Sequence, residues 1–298
     1  MAACRWTRSR SSARFAFSSF QVRRLQISTV PDRQLYPAAP LRLVAFEVQY
    51  GFAPTLATEQ GRAEVYRRLR DAYPIADAQM TVGFEFVVGP AGGAAQPQPQ
   101  AAELVLIDRE RKRSVTVGAT ALTVQSVVYE GVDELERTIA AALEAVADAG
   151  ISTTRRIGLR FVDEIRAAGI EHAADWLPYI SDDLVSPLRF AGEYAVEHAQ
   201  GVLGLRVDDD IHVLMRFGPG TGFAVNPEGR LRLPPPEQPQ FFLLDIDTFW
   251  VDPADALRPF DADEVLALYR RLDDPAHALF ERAITDRARD LFHDLEKA

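Results

Sequence analysis

Thr154–Ile165, TRRIGLRFVDEI, is the stretch on which the reading of this chain turns. Its apolar residues alternate with polar ones, the period-2 signature of a β-strand. Arg156 and Arg160 lie four apart, so on a strand both project from one face, with Asp163 and Glu164 at the far end. A second stretch answers it: Phe241–Trp250, FFLLDIDTFW, an apolar strand interrupted by Asp245 and Asp247, which also share a face. An unpaired buried charge costs several kcal/mol, so arginines on one apolar strand call for acceptors on another. The preferred expectation is a cross-strand network of Arg156 and Arg160 with Asp245 and Asp247. A functional alternative has the arginines bind a small anion, carboxylate or phosphate, in a cleft, since bidentate guanidinium geometry suits either. A third has Asp245 and Asp247 hold a divalent cation with Glu47 as a further oxygen ligand.

Outward from these strands, the composition is that of an ordinary globular chain: 298 residues, 47% hydrophobic, 26% charged, formal charge −10. The charge is uneven. Residues 1–31 hold six arginines and no acid; removing those six leaves 27 basic residues against 43 acids, about −16 for the remainder. So acidic a body disfavours nucleic-acid binding. Cys4 is the only cysteine, which excludes an intramolecular disulfide, a cysteine-ligated metal centre and a cysteine nucleophile in the body, and fits a reducing cytoplasm. No run of 18 apolar residues occurs, so no membrane helix is expected.

Residues 1–36 read as a disordered Arg/Ser-rich leader, akin to a transit peptide or to translation from a misplaced start. Two α+β halves follow, 37–150 and 151–298, each β-α-β-β-β-α-like in order. In the first, Leu41–Phe52 is a strand with Leu41, Leu43, Ala45 and Glu47 on one face. Ala57–Tyr73 is an amphipathic helix, Met80–Val88 a strand and Gly89–Gln100 a low-complexity loop. Glu103–Arg109, Arg113–Gly118 and Leu122–Tyr129 are strands, and Val132–Ala149 is a helix ended by Gly150. In the second, Ala173–Ile180 reads as a short helix ending near Ser181-Asp182-Asp183. Phe190–Ala199, Val202–Val207 and Ile211–Phe217 read as strands with a turn at Asp208-Asp209-Asp210, and Gly218–Gln240 as a loop. A final helix over Asp261–Leu295 is expected to break or kink at or beside Pro275. The two halves predict two antiparallel-rich sheets, each backed by helices, meeting near the central strand.

PAAPLRLVAFEVQYGF, RRIGLRFVDEI and FFLLDIDTF together resemble a sporadically distributed bacterial family of roughly this length. Its pattern is an APL-type start, an R-I-G-L-R-[YF] strand and a late L-x-D-[IV]-D strand. The likeness spans residues 36–290, and it departs at Asp163, where the family commonly has Asn. It implies no activity, cofactor or site residue.

No phosphate loop, G-x-S-x-G elbow or H-x-x-x-H pair is present, and no cofactor is implied. His198 and His212 could meet across a hairpin, on the solvent side. The sequence thus points away from an enzyme and toward a cytoplasmic binding or protein-interaction module. Its groove would lie between the halves at Arg156, Arg160, Asp245, Asp247 and Glu47, open to a protein partner or a small anionic ligand. The alternative is a metal- or anion-dependent enzyme acting on a phosphorylated or carboxylated small molecule.

Overall fold

A computed structural model describes residues 35–79, 82–87, 94–99, 103–252 and 257–294. Side-chain alternation builds its centre. In β1 (Leu41–Tyr50), Val44, Phe46, Val48 and Tyr50 are buried on one side, while Ala45, Glu47 and Gln49 point to the other. The short helix α1 (Pro54–Ala57) and α2 (Glu59–Leu69), capped by the Thr58 hydroxyl, lead to β2 (Ile75–Gln79). The hairpin β3 (Val82–Val87) and β4 (Ala94–Pro99) pairs only with itself among the described residues. Then come β5 (Glu103–Ile107), β6 (Arg113–Val117), β7 (Ala121–Ser126) and helix α3 (Val132–Val146), with Gly150 left-handed at φ 75° behind it. The second half runs β8 (Thr153–Ile165), α4 (Asp182–Phe190), β9 (Gly201–Arg206), β10 (Ile211–Thr221) and β11 (Gln240–Val251). It closes with the short β12 (Arg258–Pro259), α5 (Ala262–Ala283) and α6 (Asp286–His293).

The fold is α+β. The two sheets expected from the two halves are one antiparallel sheet, ordered β2-β5-β6-β7-β1-β8-β11-β10-β9, with β12 on β8. β8 joins the halves because it pairs on both sides: Ala45 and Asp247 each lie opposite Arg160. The helices cover one face. There Phe46, Leu159 and Trp250 pack with α2, α3 and the first turns of α5, while Met215, Leu244 and Ile246 pack with α4, α6 and the later turns of α5. Helix α5 thus crosses both clusters.

On the opposite face, the loop 222–239 lies against the first half, with Leu231, Leu233 and Val225 on Val105, Ile107 and Leu43. Glu164 ties it down. Its carboxylate accepts from the backbone N–H groups of Ala224 (2.6 Å) and Val225 (3.0 Å) and from Arg166 (2.5 Å), which also donates to the Gly222 carbonyl at 2.8 Å.

Several expectations need correction. Leu41 and Leu43 do not share a face: a bulge in the β1–β8 pairing between them, at Arg42, turns Leu41 to the helix side and Leu43 to the loop side. Phe190–Ala199 is no strand; Phe190 ends α4, whose first turn contains Asp182 and Asp183. Their carboxylates favour the N-terminal end of a helix, so these residues begin an element that they seemed to close. The described part of Gly89–Gln100 is a strand, Ala94–Pro99; the remainder, Met80, Val88 and the leader up to residue 34 lie outside the described residues. Helical conformation runs through Pro275 and stops at Ala283, and Thr285 caps α6. Asp208 and Asp210 do form the β9–β10 turn, and both accept from Arg271 of α5.

Because one sheet and one helix serve both halves, the halves unfold together. Phe46→Ala in the first cluster and Trp176→Ala in the second should each cost about 3–5 kcal/mol. Urea titrations followed by circular dichroism and by fluorescence should coincide in a single transition for both variants. Two separated transitions would show independent halves.

Candidate functional site

The five residues singled out in the sequence do come together, on the sheet face away from the helices. Glu47 lies opposite Gly158, and Gly158 opposite Phe249. The Arg156 guanidinium lies across Gly158, where a Cβ would come within 2.6 Å of its Nη1. Spread in this way, it reaches Glu47 (3.3 Å) on one side and Asp247 (3.2 Å) on the other, over the Phe249 ring at 4.8 Å. Arg160 grips Asp245 with two bonds, 2.6 Å from Nε and 2.8 Å from Nη2. Arg216 of β10, not anticipated from the sequence, adds a third at 3.2 Å. Asp245 is only 4% exposed, whereas the side chains of Arg160 and Arg216 are 46% and 44% exposed. Burial holds the Asp247 carboxyl above its ordinary range despite Arg156 and Arg160, and the hydrogen bond from Arg160 to Asp245 raises the Arg160 guanidinium. This is a ladder across four strands rather than a groove between halves. The position between Glu47 and Asp247 that a cation would need holds a guanidinium, and both predicted anion-binding arginines are already met by carboxylates.

A cavity lies elsewhere, on the helix side at the seam between the two apolar clusters. It measures about 330 Å³ and is bounded by the segment from Leu35 to Leu41, by Tyr129 and Val132, by Phe161 and Ile246 of the sheet, and by α5. The entry segment is pinned by Tyr36. Its hydroxyl donates to Glu281 at 2.9 Å and its ring meets Phe292 edge-on, and burial with that acidic acceptor pushes the phenol up to about 12. Helix α5 presents Asp273, His277 and Glu281 to the cavity, each four residues from the last and hence on one stripe.

Asp163 sits on the cavity wall. It continues the helix-side alternation Ile157, Leu159, Phe161 and stands opposite Leu41 and Leu244. It is 4% exposed, and among the described residues no group donates a hydrogen bond to its carboxyl or pairs with it. Buried carboxyls are normally bonded, so this one stands out. Desolvation, with Asp245 behind it on the other face, pushes it up to about 8. Asp273 is as deeply buried, at 3%.

Neither aspartate was anticipated as a site residue, although each left a trace. Asp163 shares the parity of Ile157, Leu159 and Phe161, and Asp273 directly follows Leu272 on the buried stripe of α5. His198 and His212 do not meet, since Arg206 is the β9 residue opposite His212. Among the described residues no cluster of three or more His, Cys, Asp or Glu side chains is arranged to hold a metal ion, and no helix is long and apolar enough to cross a membrane. No protein-family model matches the chain, and no curated protein matches it.

Two outcomes follow. Arg160→Ala leaves the buried Asp245 with Arg216 alone and should cost about 1–3 kcal/mol in urea denaturation. Asp245→Asn should cost less, because the two arginines it releases are half-exposed and water can solvate them. For Asp163, the folded value near 8 lies above the unfolded value of about 3.9, so between these limits the native chain keeps a proton that the unfolded chain has released. The group's contribution to stability therefore falls as pH rises through that window, by up to about 1.4 kcal/mol per unit. Asp163→Asn should gain on the parent progressively between these limits, and parallel stability curves would refute the raised value.

Proposed function

We propose that this chain is a small-molecule-binding protein and that its ligand occupies the cavity between the sheet, α5 and the Leu35–Leu41 segment. The observation that supports this reading is Asp163, an almost wholly buried carboxyl on the cavity wall without a partner among the described residues. A structural carboxyl in a core is costly unless bonded, and a chain that keeps one in the wall of a preformed cavity has a use for it. The cavity has mainly apolar walls and a few convergent polar groups, the usual make-up of a ligand site. On this reading the Arg156–Arg160–Asp245–Asp247 ladder, where the sequence had placed the ligand, holds strands in register and takes no ligand of its own.

A thermal-shift screen of the full chain against a chemically varied panel of small molecules tests the assignment. Ala276 is 2% exposed and lines the cavity, so Ala276→Phe fills it. A ligand at a hundredfold excess over its Kd should stabilise the parent by about 2.7 kcal/mol. That stabilisation should vanish in Ala276→Phe while the variant still unfolds cooperatively. Binding that survives Ala276→Phe but is lost in Arg160→Ala would place the site on the charged face and overturn the reading.

A further inference from the structure

We infer that the cavity takes an organic ammonium ion, a protonated amine on a compact apolar body, with its charged head against Asp163; this rests on the reading of the cavity as the ligand site. The sign of the walls argues for it. Three elements around Asp163 bring acid: α5 brings Asp273 and Glu281 together with His277, the turn after β7 brings Glu130, and α3 brings Asp133. Among the described residues no lysine or arginine lines the cavity. Three of these acids are met from outside, Glu130 by Arg113 (3.3 Å), Asp133 by Arg270 (3.8 Å) and Glu281 by Arg289 (3.1 Å). The most deeply buried acids of the lining are Asp163 and Asp273, at 4% and 3% exposure. Among the described residues, an anionic ligand in this cavity would face the wall with no cation to receive it.

The remaining walls suit the rest of such a ligand. Tyr36, Tyr129, Phe161 and Phe280 supply aromatic surface, with Tyr129 and Phe161 packed edge-on at 5.8 Å. Ring faces attract an ammonium group and ring edges pack its hydrocarbon, the combination used in aromatic cages for amines. A volume of about 330 Å³ lies at the small end of ligand cavities.

Protonation gives the inference its signature. Below about pH 8 the empty cavity holds Asp163 as the neutral acid. When the ammonium head arrives, the carboxyl ionises: neutral Asp163 and the ammonium ion become an ion pair, and one proton passes to solvent. No covalent bond changes. A neutral ligand accepting a hydrogen bond from protonated Asp163 would instead bind less well as pH rises, so the direction of the pH dependence separates the two.

The test uses the full chain and matched probes: hexylamine and benzylamine, with hexanol, benzyl alcohol, hexanoate and benzoate as neutral and anionic counterparts. Isothermal titration calorimetry should find at least one amine bound at least about tenfold more tightly than its alcohol, with no binding of either carboxylate. The amine's affinity should rise by up to about tenfold per pH unit below pH 8, and titrations in buffers of different ionisation heat should report about one proton released. Asp163→Asn should lose both the slope and the proton release. Alcohol or carboxylate binding that matches or exceeds the amine's, affinity that falls as pH rises, or no binding by any probe would overturn the inference. Alcohol or carboxylate binding that Ala276→Phe abolishes would leave the cavity reading intact, whereas amine binding that survives Ala276→Phe would remove the cavity reading as well.

Discussion

A β-strand gives each side chain one of two directions, and in a sheet covered by helices on one face that choice decides what an ionisable group can do. β8 enforces this on both neighbours at once, because the register that sets Arg160 opposite Asp247 fixes the parity of every charged residue on the two strands. Arg156 and Arg160 go to the face without helices, and Asp245 and Asp247 go with them. Asp163, odd where the arginines are even, is forced to the other side. A one-residue slip in this pairing would drive guanidinium groups into the helix-side core, so the apolar pattern and the ionic ladder defend the same register.

The two faces then treat charge in opposite ways. On the ladder every carboxylate has a guanidinium, and the arginines are long enough to keep partial contact with water. That arrangement is locally satisfied and chemically quiet. At the seam beneath α5, packing is interrupted between the clusters around Phe46 and Ile246, and the helix passes over the gap with Asp273 and the small Ala276 where larger apolar side chains would close it. Polar groups left there, Asp163 and Asp273, are desolvated.

The sequence carried the strands of the centre and the ladder itself, because period-2 alternation and the i, i+4 and i, i+2 spacing of charges are local. It did not carry which face the helices would cover. Arg156 and Arg160, interior residues by their apolar strand, lie on the face without helices, and Asp163, of opposite parity, lies on the helix side. The joining of two expected sheets into one was equally hidden, since strand order depends on partners far apart in the chain. Arg216 was missed for the same reason: only pairing across β10 and β11 brings it to Asp245. The misassigned strand at Phe190–Ala199 failed on composition, its β-prone residues lying in the turns that leave α4.

The bulge at Arg42 has a consequence for how the molecule can change. It separates two parts of one strand with different duties: residues from Leu43 onward are tied into the core register, while Leu41 and the segment before it wall the cavity. An irregularity at that junction absorbs changes of length or direction on its outer side, so they need not propagate to Val44, Phe46 and the ladder. Selection can therefore remodel the cavity's rim without reopening the question of how the sheet is paired. The bulge partitions a single strand into a fixed frame and an adaptable edge.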